Sequence, residues 1–185
     1  MTLPLWTHQQ AAIDYVSEQW RNGHPGILLD VRMRAGKTRI TWELARIIAG
    51  ELGFARILIV CPLPVVQVWA EESAKWDGPP VETLDSGSVA QKAVRAFNAR
   101  KAGRAIAVNY DSAFRGALAK LLLGFEWDLV VWDECHRSAA PEYRKVHERY
   151  PDAPMLGLTA TPERSDGVPM GDVFDDLVVA AQYSE

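Results

Sequence analysis

At 185 residues the chain is one domain of comfortable size, able to bury a full core, and no apolar run in it is long enough to cross a membrane. Its net charge of −4 and pI near 5.6 exclude a polycationic binder that grips nucleic acid mainly by phosphate neutralisation, so any DNA contact must use local patches. Two cysteines cannot staple a secreted framework and Met1-Thr2-Leu3-Pro4 does not read as a signal peptide, so a reducing, cytoplasmic compartment is expected.

In chain order, the pattern predicts a helix over 9–20, an apolar strand over 26–30, a loop over 31–38, and a helix carrying Ile40, Leu44, Ile47 and Ile48. A strand over 56–61 and a helix over 64–76 follow, then the loop Gly78-Pro79-Pro80. Helices over 88–100 and 111–123 flank a strand over 105–109. The apolar run Leu129-Val130-Val131-Trp132 predicts a buried strand, residues 141–150 a helix, Met155-Leu156-Gly157-Leu158 another short strand, and Ser165-Asp166-Gly167 a loop. Strands alternating with helices imply an α/β domain whose mostly parallel sheet is covered on both faces. There is no internal repeat and no low-complexity stretch.

Asp133-Glu134-Cys135-His136 ends the most apolar of these strands. A strand too apolar for the surface should deliver its tip to the carboxyl edge of the sheet, where α/β ligands bind. Two adjacent carboxylates there can present one acid to magnesium and the other to water; the plainer reading is a solvated strand end or helix cap. Cys135 and His136 invite a zinc reading, but Cys61 is the only other cysteine and no second Cys/His pair stands at zinc spacing.

Upstream, Val31-Arg32-Met33-Arg34-Ala35-Gly36-Lys37-Thr38 lies between a strand and a helix, the context of a phosphate-binding loop. Gly36 would let the backbone approach closely, Lys37 would reach the β- and γ-phosphates, and the Thr38 hydroxyl would ligate magnesium. The strict pattern asks for glycine where Val31 stands, and Arg34 occupies a place where related loops often carry a second glycine. Downstream, Thr159-Ala160-Thr161-Pro162 puts two hydroxyls at a strand end, able to bond to neighbouring acids or to His136. Trp42, Trp69 and Trp76 fall within helical patterns and read as packing residues.

Six segments in this order, Leu5-Trp6-Thr7-His8-Gln9, Ala35-Gly36-Lys37-Thr38, Ile59-Val60-Cys61-Pro62, Asn109-Tyr110-Asp111-Ser112, Asp133-Glu134-Cys135-His136 and Leu158-Thr159-Ala160-Thr161-Pro162, carry a resemblance. The chain resembles the first RecA-like domain of superfamily 2 helicases and translocases, with a DExH-type acid box. Its details look like the branch of Snf-type translocases, XPB-like helicases and restriction-enzyme motors. The resemblance covers 3–183, nearly the whole chain, and implies a RecA-like three-layer α/β/α fold.

Position by position, the resemblance implies that Gln9 reads the adenine edge, that Ala35, Gly36, Lys37 and Thr38 hold the ATP phosphates, and that Thr38 and Asp133 hold Mg2+. Glu134 would polarise the attacking water, with Asp133 and Lys37 completing the catalytic set. His136, Thr159 and Thr161 would couple hydrolysis to movement. Pro62, Asn109 and Tyr110 correspond to places where family members touch a nucleic-acid backbone, expected here to be DNA rather than RNA. Nearby Arg115 is a candidate contact, and Lys92, Arg95, Arg100, Lys101 and Arg104 form a basic group that otherwise reads as a solvated helix face. Trp6 either flanks the adenine or staples the first helix.

In the resembled family ATP sits between two such domains, the second of which supplies arginine fingers. A second RecA-like domain, in a separate chain or elsewhere in the same protein, is therefore an expected partner. Two readings stay open: the ATP-binding half of a nucleic-acid motor, or a stand-alone binding or regulatory module that kept the fold without the motor.

Overall fold

The computed structural model describes residues 4–32, 34–50, 55–135, 140–160 and 174–181. Strands β1 (Gly26–Val31), β2 (Ile57–Cys61), β5 (Leu129–Asp133) and β6 (Met155–Thr159) are buried at every position, and β4 (Ala105–Asn109) at all but its last. Continuous apolar runs of this kind are what a parallel sheet needs when both its faces are covered. With β3 (Val81–Thr83) and β7 (Asp176–Ala181) at the edges, the strands form one seven-stranded sheet in the order β3-β4-β2-β5-β6-β1-β7. Every pairing in it is parallel.

Alternation along each strand divides the core in two. Ile57, Ile59 and Cys61 point with Leu129 and Val131 toward α1 (Thr7–Arg21), α2 (Lys37–Ala49) and α3 (Val66–Lys75). Leu58, Val60, Val130 and Trp132 point the other way, toward α4 (Val89–Lys101), α5 (Tyr110–Phe114), α6 (Gly116–Gly124) and α7 (Ala140–Arg149). This is the three-layer α/β/α arrangement expected from the sequence. Asp128, just before β5, accepts hydrogen bonds from the Arg56 main-chain N–H and Nε at 2.7 Å each, tying the start of β5 to that of β2.

Three local features differ from expectation. The helix predicted over 111–123 is two helices, because Arg115 is extended (φ −121°, ψ 139°) and Gly116 takes φ +77°, a left-handed conformation that suits glycine. The helix predicted from residue 64 begins with a short 3-10 turn, Leu63–Val65, closed by Val65 N–H donating to Pro62 O at 2.9 Å. The edge strands β3 and β7 were not predicted; one has only three residues, and the other leaves Leu177 and Val179 about half exposed. The predicted loop Ser165-Asp166-Gly167 lies outside the described residues.

Candidate nucleotide site and acid pair

The strand order places β6 between β1 and β5, so the carboxyl ends of three adjacent strands converge. From β1 the chain enters the loop before α2. Val31, where the strict motif would have glycine, is the fully buried last residue of β1, and the turn is made further on. Arg34 (φ +66°) and Gly36 (φ +89°) are both left-handed, and Ala35 N–H donates to Arg32 O at 3.2 Å. The left-handed conformation favours glycine at position 36, and a Cβ there would lie 2.1 Å from Gln9 Nε2 and force that amide to move.

Gln9 is buried and used at both ends of its amide. Its Nε2 donates to Ala35 O at 3.2 Å, and its Oε1 accepts the Trp6 main-chain N–H at 3.0 Å. His8 Nε2, 3.1 Å from the same Ala35 oxygen, was not singled out in the sequence. The segment before α1 is thus fastened to the loop that precedes α2. A cavity of about 530 Å³ opens beside it, lined by Trp6, Gln9, Gly36, Lys37, Arg39 and Trp76 among others. Trp6 is the N-terminal flank of α1 with its ring exposed, and the Arg39 guanidinium stacks 4.8 Å over Trp76.

Lys37 is the first residue of α2. Its Nζ lies 2.9 Å from Glu134 Oε1 and 3.7 Å from Asp133 Oδ1, bringing together the two motifs that the sequence holds far apart. Thr38 lines the same cavity. Asp133 is the last residue of β5 and 6% exposed; Glu134 follows with φ +54°, a conformation rare for a non-glycine residue. Asp133 Oδ2 accepts the Trp69 indole N–H at 3.0 Å, while its buried Oδ1 has no hydrogen-bond partner among the described residues. Trp69 and Trp42 are buried as expected, in edge-to-face contact, but the sequence had not marked Trp69 as part of the site.

Burial, aided by the neighbouring Glu134, raises the Asp133 pKa above the ordinary carboxylate value despite Lys37 and the Trp69 hydrogen bond. A carboxyl with a raised folded-state pKa contributes stability that is present below its unfolded pKa and lost as pH rises through the folded value. Asp133→Asn removes that loss. The variant should therefore melt above the wild type at neutral pH, by roughly 2–4 °C if about 1 kcal/mol is recovered, and vary less with pH between mild acid and neutrality. A melting temperature that is lower at pH 7 would refute this account of the site's electrostatics.

Asp30, at the end of β1 and paired in register with Thr159, is a further buried acid that sequence reasoning missed; burial raises its pKa, offset by Arg32 and Lys37. Thr159 is fully buried at the end of β6. His136 and Thr161 lie outside the described residues.

The candidate nucleic-acid residues stand at the same sheet edge. Pro62 follows β2, Asn109 ends β4 in register with Cys61, and Tyr110 opens α5. The Tyr110 hydroxyl is turned inward and donates to the Asp133 main-chain oxygen at 2.5 Å. Arg115 is exposed and paired with Asp111 at 3.1 Å. The basic group is partly committed within the domain: Arg95 and Arg104 pair with Glu82, and Arg100 donates to Glu126 O.

Residues 2–164 match the family described as Type III restriction enzyme, res subunit. The chain is 28% identical over 171 residues to Switch 2 of Arabidopsis thaliana, covering 85% of this chain and 19% of that protein. It is 26% identical over 170 residues to the DNA 3'-5' translocase XPB2 of Sulfurisphaera tokodaii, covering 90% of this chain and 34% of that one. It therefore spans between about a fifth and a third of the length of these curated relatives. Among solved structures, the Sulfolobus solfataricus SWI2/SNF2 ATPase core in complex with dsDNA superposes with a TM-score of 0.70 at 21% identity, over 91% of this chain and 35% of that chain. UvsW of bacteriophage T4 superposes with a TM-score of 0.74 at 14% identity, over 97% and 35%. A loop that wraps Gly36 around Gln9, and a lysine held between the paired acids of an all-parallel sheet, are thus seen in a chain that belongs to the Type III restriction enzyme res-subunit family and is a first RecA-like domain of the superfamily 2 helicase and translocase class.

Proposed function

We propose that the chain is the ATP-binding half of a DNA helicase or translocase, binding magnesium-ATP, contributing part of a nucleic-acid track, and requiring a second RecA-like domain for efficient hydrolysis. The observation that carries this reading is Lys37 Nζ lodged between Glu134 Oε1 and Asp133 Oδ1 at 2.9 and 3.7 Å, at the first turn of a helix. Such a cation is poised to exchange its carboxylates for phosphate oxygens, which the helix N-terminus also favours. The donor set suits magnesium: Asp133 Oδ1 is buried without a hydrogen-bond partner among the described residues, and Asp133 with Thr38 offers hard oxygen ligands. Bound there, the ion would neutralise charge on the phosphates. Glu134 then orients the attacking water, and Gln9 with Trp6 faces the adenine. Pro62, Asn109 and Arg115 lie toward the DNA backbone.

Fluorescent ATP-analogue titration tests the nucleotide half. Saturable binding that requires magnesium and is displaced by unlabelled ATP is expected; binding indifferent to magnesium would sink the assignment. DNA binding by this chain alone should be slight and fall with salt, because the acidic balance opposes nonspecific attraction. A tight complex near physiological salt, insensitive to Arg115→Ala and to substitution at Asn109, would show that the track lies elsewhere.

A further inference from the structure

Two aromatic side chains from different elements bond to the same acid. The Trp69 indole N–H donates to Asp133 Oδ2 at 3.0 Å, and the Tyr110 hydroxyl donates to the Asp133 main-chain oxygen at 2.5 Å. Trp69 sits on α3, the helix that follows Pro62, and Tyr110 directly follows Asn109. Both are held by rings: Trp69 by edge-to-face contact with Trp42 at 5.5 Å, Tyr110 by stacking on Trp132 at 6.4 Å. With Oδ2 committed to Trp69, Oδ1 is left buried, 3.7 Å from Lys37 Nζ and without a hydrogen-bond partner among the described residues.

We propose that Trp69 and Tyr110 are positioning residues for the magnesium site, fixing the carboxylate and the main chain of Asp133 from the two segments that face the nucleic acid. The proposal rests on the reading of Asp133 as a magnesium ligand. Groups that orient a metal ligand from outside the coordination sphere are generally worth 10- to 100-fold in metal affinity. Here they also give α3 and α5 a direct hydrogen bond to the acid, so a shift of either element reorients the ligand.

The test uses the whole chain and a fluorescent ATP analogue titrated with Mg2+. Trp69→Phe keeps an aromatic ring against Trp42 and deletes only the donor; it should raise the Mg2+ concentration for half-maximal binding about tenfold, leaving the extent of nucleotide binding at saturating Mg2+ unchanged. Tyr110→Phe should shift the same midpoint in the same direction, several-fold, and carries the test by itself if Trp69→Phe fails to fold. Trp42→Phe is the packing control, since its indole N–H has no hydrogen-bond partner among the described residues, and its midpoint should match the wild type. Unchanged midpoints in both Trp69→Phe and Tyr110→Phe, with binding still abolished by Lys37→Ala, would overturn the proposal and leave the site reading intact. An equal shift in Trp42→Phe would overturn it too, by showing that packing and not the hydrogen bond sets the midpoint. Nucleotide binding indifferent to Lys37→Ala would overturn the site reading and the proposal together.

Discussion

Lys37→Ala should weaken magnesium-ATP binding by roughly 30- to 700-fold and lower the stability of the nucleotide-free domain at the same time. The first effect follows from removing a desolvated charge partner, worth about 2–4 kcal/mol at such sites, with each 1.4 kcal/mol a factor of ten. The second follows from what Lys37 does without nucleotide. Its Nζ bridges Asp133 and Glu134, whose side chains are only 9% and 23% exposed, so its loss leaves two adjacent acids without the cation between them. Partial exposure reduces the full cost of breaking a buried pair to about 1–2 kcal/mol, a drop of several degrees in melting temperature. Asp133→Asn in the Lys37→Ala background should recover part of the melting temperature and none of the binding. Binding equal to the wild type in Lys37→Ala would remove the phosphate-loop assignment.

The sequence made the centre of this molecule legible for one physical reason. A strand buried on both faces must be apolar throughout, so β1, β2, β4, β5 and β6 stand out as unbroken runs, and the chemistry-bearing residues sit where the runs stop. Lys37, Asp133 and Glu134 were found in this way, and the structure brings them together. The edges were less legible because an edge strand buries less; β7 alternates exposed Leu177 and Val179 with Val178 and Ala180, which pack on the core. The break at Arg115 depends on two left-handed or extended residues that helix-forming neighbours conceal. Trp69 was hidden differently. Its ring is core, as the helical spacing indicated, but its N–H reaches an acid 64 residues away, and no local pattern records a contact at that separation. The resemblance marked Gln9 as an expected adenine reader, while its grip on Ala35 became visible only when the loop was folded around it.

This polypeptide alone should hydrolyse ATP barely above background, and turnover should rise by roughly 10³- to 10⁵-fold when a second RecA-like domain is supplied. On the proposed reading Glu134 would orient water and Asp133 would hold magnesium, but both are acidic, and the charge that develops on the transferring phosphoryl group needs positive partners. Lys37 is a cation in contact with both acids, and it starts α2 on the same side of the sheet edge as they do. A facing domain would close the cleft, exclude water and bring arginines to the opposite side of the phosphates. The measurement is steady-state phosphate release with and without single-stranded and duplex DNA, for this chain and then with the second domain joined, with Glu134→Gln as the control throughout. Robust DNA-stimulated turnover by the 185-residue chain alone, lost in Glu134→Gln, would overturn the half-motor reading and require a second copy of this chain to supply the arginine. Turnover that survives Glu134→Gln with the second domain present would remove Glu134 from the reaction, because no other described carboxylate lies so close to Lys37 Nζ as its Oε1 at 2.9 Å.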